Sequence, residues 1–220
     1  LALTVWTASC SAMANGGGPA PFMMKTVVAG RLLEGQPLTW TDAEMVLLGR
    51  DGALYEFDPR QAEQSEKIGG RYQAFSMAEM KARLRQEFDS TYEVAATQHF
   101  VVVCPRGGWQ AGADRMAAPY RSFVRYMSVR GFRPRTPPAP MPAIVFRNQS
   151  DYYRHAAESG TRLGPGSLGH YSPRSNRMYL FDATAATGDA DQIANFETIV
   201  HEATHQTAYN VGVHQRFTAQ

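Results

Sequence analysis

The sequence predicts an α+β chain in which a mixed sheet covers one long helix near the C-terminus, and three observations carry that prediction. Strand-like and helix-like segments follow one another in the order β-β-α-β-α-β-α, with a long helical pattern last. That last helix holds His201-Glu202-Ala203-Thr204-His205. The composition, 44% hydrophobic and 11% aromatic over 220 residues, is ample for a packed core.

Taken in order, Leu1 to Ala14 are mostly small or apolar, and Ala12-Met13-Ala14 is an A-x-A-like cleavage site ahead of Asn15-Gly16-Gly17-Gly18-Pro19. Residues 1–20 therefore read as the remnant of a secretory signal and a glycine-rich linker, which predicts an exported chain, periplasmic, envelope-bound or secreted. A lipoprotein site at Cys10 is a minority alternative, because Thr7-Ala8-Ser9 lacks the usual leucine three residues before the cysteine. With that segment removed Cys104 is the sole cysteine, so no internal disulfide is expected. Following Val101-Val102-Val103, it reads as a small buried hydrophobe.

Residues 21–88 read as a small β-rich module with a closing helix. Lys25 to Ala29 and Glu44 to Leu48 are strand-like, and Gly49-Arg50-Asp51-Gly52 turns the chain into Ala53 to Phe57. After Asp58-Pro59 and a polar segment, Ser76 and Glu79 form a capping box. The helix it opens runs to about Phe88, with Met80, Leu84 and Phe88 on one face.

Residues 89–220 read as a second domain. Tyr92 to Thr97 and His99 to Cys104 are strand-like, and Asp114 to Arg130 contain a helix that starts as late as Pro119 and ends at Gly131. Its Tyr120, Phe123, Tyr126 and Met127 repeat at helical spacing, which suits core packing. Five prolines between Pro134 and Pro142 make an extended connector. Ala143 to Arg147 is a strand, Gln149 to Glu158 a helix, Gly160 to Gly169 a glycine-rich loop, and Arg177 to Asp182 a further strand.

The motif helix carries the chemistry. Residues four apart on a helix share a face, so His201 and His205 can close on one metal ion, and the H-E-x-x-H spacing points to zinc, Zn2+. Glu202, one position after the first histidine, can hold a water and take its proton as general base. Two solvated histidines beside an ordinary helix glutamate is the plainer alternative. Ile193, Phe196, Ile199, Val200, Ala203 and Thr204 give the helix a buried stripe; Asp189 or Asp191 caps its start, and Asn210 and Gly212 stop it.

Composition narrows the partners. The 22 Lys+Arg against 20 Asp+Glu leave a net charge of +2, with no basic run and no interleaved basic-aromatic stripe, so nothing argues for nucleic acid. No stretch of the mature chain is apolar for long enough to cross a bilayer.

His201-Glu202-Ala203-Thr204-His205-Gln206 with Asn210-x-Gly212-x-His214 resembles the motif helix of an uncharacterised bacterial domain family in the peptidase-MA, or gluzincin, superfamily. Further blocks agree: Gly49-Arg50-Asp51-Gly52, Tyr92-Glu93-Val94, His99 to Val103, Ile144-Val145-Phe146-Arg147, and Gly169-His170-Tyr171-Ser172 ahead of Asn176-Arg177. The likeness runs from about residue 24 onward. It implies a thermolysin-like, zincin fold, a zinc site at His201 and His205 with Glu202 as base, and Arg177 to Asp182 as an edge strand for an extended peptide. Gluzincins complete the site with a Glu from a later helix, in this family within a Trp-Leu-x-Glu-Gly-like segment, and no such segment precedes Gln220. The resemblance thus implies a chain truncated before its third ligand, which a catalytic zinc requires.

Other candidates are weaker. The metzincin spacing would need a glycine and a histidine where Ala208 and Val211 stand, and His214 would have to fold back to reach the metal. His99 opens a strand and His155 sits on a surface-like helix. His170, beside Tyr171, is placed to polarise an oxyanion. The expected function is an exported zinc-dependent hydrolase, a peptidase acting on peptide or protein substrates. The alternatives are an envelope binding or scaffold module that keeps the fold without turnover, and a structural metal site clamping the last helix.

Overall fold

The computed structural model describes residues 19–107, 112–181 and 189–215. The signal-like segment Leu1 to Ala14 with Cys10, and Asp182 at the end of its expected strand, lie outside the described residues. Among the described residues the protein is mixed α+β, with four α-helices and two five-stranded sheets. The chain divides into two compact units.

The first unit, residues 19–50 and 54–73, is an antiparallel sheet. Strands β1 (Met23–Val28) and β2 (Arg31–Trp40) are joined by Ala29 and Gly30, both with positive φ (49° and 74°). Two such residues match the twist of the strands they connect. Strands β3 (Met45–Gly49) and β4 (Leu54–Phe57) extend the sheet beyond β2, and β5 (Ala62–Gly69) pairs with the other side of β1, giving the order β4-β3-β2-β1-β5. Phe22, Met24, Leu33, Met45 and Leu47 bury together, with Trp40, Tyr55 and Phe57 packed against them. The sequence reading finds β1, β3 and β4 and passes over β2 and β5.

The second unit begins with residues 51–53 and resumes at Ala74. Helix α1 (Met77–Glu87) opens on the expected capping box: Ser76 Oγ accepts from the Glu79 amide at 3.2 Å, and Glu79 Oε2 accepts from the Ser76 amide at 2.7 Å. The remaining elements are β6 (Tyr92–Ala96), β7 (Phe100–Pro105), α2 (Gly112–Ser128), β8 (Met141–Phe146), α3 (Gln149–Glu158), β9 (Gly169–Ser172), β10 (Arg177–Phe181) and α4 (Asp189–Asn210). Their sheet has the order β6-β7-β8-β10-β9, parallel through β7, β8 and β10 and antiparallel at both outer strands.

Helices cover both faces of this sheet, so its inner strands are apolar throughout rather than alternating. On one face Phe100, Val102, Cys104, Val145, Met178 and Leu180 pack with Met116 of α2 and with Ile199 and Ala203 of α4. On the other, Val101, Val103, Ile144, Tyr179 and Phe181 pack with Met80 and Leu84 of α1 and Tyr152 of α3. Cys104 is the buried hydrophobe expected. Burial, with the Glu93 carboxylate 3.7 Å from its sulfur, pushes the thiol up to about 12.

Two expectations are corrected. The two compact units divide after Gln73, and α1 buries Met80 and Leu84 in the second unit's core. The strand 177–181 is not an edge: β10 is paired on both sides, and β9 is the outer strand. Helix α2 starts at Gly112, with Pro119 inside it rather than at its first turn.

Candidate metal centre

Helix α4 is built with two unlike faces. Ile199, Ala203, Gln206, Thr207 and Asn210 are buried, whereas His201 and His205 are exposed and Glu202 is partly covered. Phe196, expected in the buried stripe, is 48% exposed; it stands one turn before Val200, which is itself only half-buried. The side chains of Asp189, Asp191 and Ile193 lie outside the described residues.

The two histidines converge. Their Nε2 atoms are 3.0 Å apart, with ring centroids separated by 4.6 Å and the rings inclined at 73°. Two nitrogens bound to one tetrahedral zinc at about 2.0–2.1 Å would stand roughly 3.3 Å apart, so this pair suits a shared ion after a small adjustment. The donor chemistry also fits, since neutral imidazole is a common zinc ligand. Among the described residues no group of three or more His, Cys, Asp and Glu side chains comes together as a metal site, so His214 does not join the pair. Instead His214 packs its ring 5.4 Å from that of Tyr209, which lies 5.6 Å from Tyr171.

What holds α4 in place is a buried amide network. Asn176, in the turn between β9 and β10, has φ +56° and is fully buried. Its Nδ2 donates to Asn210 Oδ1 at 3.1 Å, and Asn210 Nδ2 returns a bond to Asn176 Oδ1 at 2.7 Å. Tyr171 donates to the same Oδ1 at 2.9 Å. One turn earlier, Gln206 Nε2 donates to the backbone carbonyls of Asn176 at 2.7 Å and Pro142 at 3.0 Å. Gln206 directly follows His205, so the histidine face is tied to the central sheet by the residue next to it.

The helix ends as expected at Asn210 and Gly212. Gly212 has φ +82°, and the Val213 amide reaches back to the Ala208 carbonyl at 2.9 Å. A side chain at 212 would also collide with the Arg135 guanidinium. At the other end of the motif, Gly169 of β9 lets strand and helix approach. A Cβ there would lie 2.4 Å from Leu180 Cδ2 and 2.9 Å from Thr198 Cγ2.

The remaining histidines are engaged in packing. His170 Nδ1 lies 3.0 Å from the Tyr152 hydroxyl and its ring stacks 5.1 Å from Tyr179; burial, with His155 a lesser cause, pushes it down to about 4. Burial also raises the Tyr152 hydroxyl, with the Glu202 charge the next cause. His99 lies with its ring 4.3 Å from Tyr120, and burial lowers it. His155 is half-buried rather than fully solvent-facing. Its ring packs at 5.0 Å from Phe146 and 4.8 Å from Tyr179, its Nε2 is buried without a hydrogen-bond partner among the described residues, and burial lowers its pKa.

Sequence reasoning found the histidine pair but gave Asn210 only the role of a helix stop, and it missed Gln206 and Asn176. The available signal was an asparagine ahead of a strand, a residue type that tolerates the left-handed region.

The fold and site together define a class: an α+β protein that presents two convergent histidines on a helix anchored to a mixed sheet. A family model described as a protein of unknown function, DUF1570, matches residues 195–220, which include His201, Glu202 and His205. No curated protein and no solved structure matches the chain.

Proposed function

We propose that this chain is a zinc-dependent hydrolase of zincin type, a metallopeptidase whose metal is held by His201 and His205. The supporting observation is the 3.0 Å approach of their two Nε2 atoms on an exposed helix face. A zinc ion held there supplies Lewis acidity toward a scissile carbonyl and acidifies water. Glu202 follows His201 directly, and its carboxylate takes the proton of the attacking water and passes it to the leaving amine. The buried amides of Gln206 and Asn210 fix the helix, so the imidazoles need only a small adjustment to receive a ligand.

An extended peptide substrate would add to β9, the outer strand beside α4, rather than to β10. Export of the protein belongs to the same reading and rests on the leader-like Leu1 to Ala14.

The test is metal content by mass spectrometry with peptide-library turnover on the full-length protein, because a catalytic zinc takes a third ligand beyond His201 and His205, run as wild type, His201→Ala, His205→Ala and Glu202→Gln. The expected result is zinc in the wild type and in Glu202→Gln, loss of zinc in either histidine variant, and turnover in the wild type alone. Zinc retained in both histidine variants would move the site elsewhere. A zinc-loaded wild type without turnover would leave a non-catalytic envelope module as the function.

A further inference from the structure

We propose that the C-terminal end of α2 and the turn after it form a docking surface for an anionic lipid bilayer. Residues 115–150 contain no Asp or Glu, and within them Arg121, Arg125, Arg130, Arg133 and Arg135 fall in a stretch of fifteen residues. All five are exposed. This corrects the expectation that the chain lacks a basic-aromatic stripe: the arginines are spaced two to five apart along the end of α2 and the turn after it.

Tyr126, Val129 and Phe132 stand among these arginines at three-residue steps, and they are 51%, 72% and 53% exposed. They account for three of the large hydrophobic side chains left exposed in the described residues. Helix α2 stops at Ser128, the Phe132 amide reaches back to the Met127 carbonyl at 3.2 Å, and Gly131 turns the chain with φ +87°. Arg130 lies over the Tyr126 ring, 3.4 Å from its centroid. Among the described residues, Arg121, Arg125, Arg130 and Arg133 form no ion pair.

A chain of net charge +2 has therefore concentrated positive charge around solvent-facing apolar groups. A bilayer with acidic headgroups satisfies both at once, because guanidinium groups pair with phosphates and carboxylates while Val129 and Phe132 enter the acyl boundary and Tyr126 sits at the interface. An acidic protein partner would answer the charge alone. No described helix is long and apolar enough to cross a membrane, so the contact is peripheral.

Vesicle flotation of the full 220-residue chain tests this, using phosphatidylcholine vesicles with and without about one-third phosphatidylserine. The expected result is capture by the anionic vesicles only, weakened at high salt. Each arginine near such a surface contributes roughly five-fold, so Arg121→Gln/Arg125→Gln/Arg133→Gln together should weaken capture on the order of 100-fold. Val129→Ser/Phe132→Ser should weaken it while leaving the charge intact, and the exposed positions keep the fold unchanged by circular dichroism. Equal capture by both vesicle types, no capture, or capture indifferent to the arginine variant would overturn the proposal. Binding to soluble polyglutamate with the same affinity, indifferent to Val129 and Phe132, would overturn it in favour of an acidic protein partner.

Discussion

Asn176 and Asn210, 34 residues apart, hold one another by two reciprocal amide bonds of 3.1 and 2.7 Å in a fully enclosed setting. One residue lies in the turn before β10 and the other at the end of α4, so the pair closes the motif helix onto the sheet. Replacing Asn210 by Ala strips both bonds, leaves Asn176 Nδ2 without its partner, and should cost about 2–3 kcal/mol in urea unfolding. Asn176→Ala should cost roughly 1 kcal/mol more, since alanine is strained at φ +56°. The double variant should be less destabilised than the sum of the singles; strict additivity would show that the two amides are energetically independent.

Gly169 and Gly164 are close in sequence but should respond to a methyl group to very different degrees. A methyl at 169 meets Leu180, Thr198 and the Tyr179 carbonyl within 3.0 Å, whereas one at 164 meets only Ser167 Oγ at 3.8 Å. Gly169→Ala should therefore destabilise by about 1–3 kcal/mol and Gly164→Ala by less than about 0.5 kcal/mol. Because Thr198 is one turn before Glu202, the Gly169 variant should also lower metal affinity. Unchanged stability at 169 would mean that the helix rides freely over β9.

His170 gives stability a pH dependence of definite sign. Its pKa is about 4 in the folded protein against an ordinary 6.5, so the unfolded chain binds the proton more readily between those values. The stabilisation is complete above pH 6.5, falls as the pH drops through that window, and is gone below about 4. Partial exposure limits the loss to at most about 3 kcal/mol. His170→Asn should flatten the curve of unfolding free energy between pH 7 and 4.5; a wild-type and variant pair with parallel curves would assign the dependence to other groups.

The parts of the fold that announce themselves do so through side chains that act locally. Ser76 and Glu79 form a reciprocal cap wherever they meet a helix start, and His201 and His205 share a face because of helical pitch alone. Strand β2 hides because Glu34, Gly35, Gln36 and Pro37 interrupt its alternation, and β5 because Glu63 to Lys67 are polar at every position. Both are strands because of the backbone partners they meet, β2 lying between β1 and β3 and β5 pairing with β1. The centrality of β10 is likewise a matter of which neighbours arrive, since an apolar run looks the same at an edge or in the middle. His155 looked solvent-facing because its helical neighbours are polar, and only Phe146 and Tyr179, brought in from other strands, enclose it.

Thiolate, not thiol, is the form that alkylating reagents attack, and Cys104 is both protonated at neutral pH and sealed beneath two helices. The molecule therefore carries its own clock. The pace at which a maleimide finds this sulfur, told apart from Cys10 by peptide mass, counts how often the central strands part, without any added label.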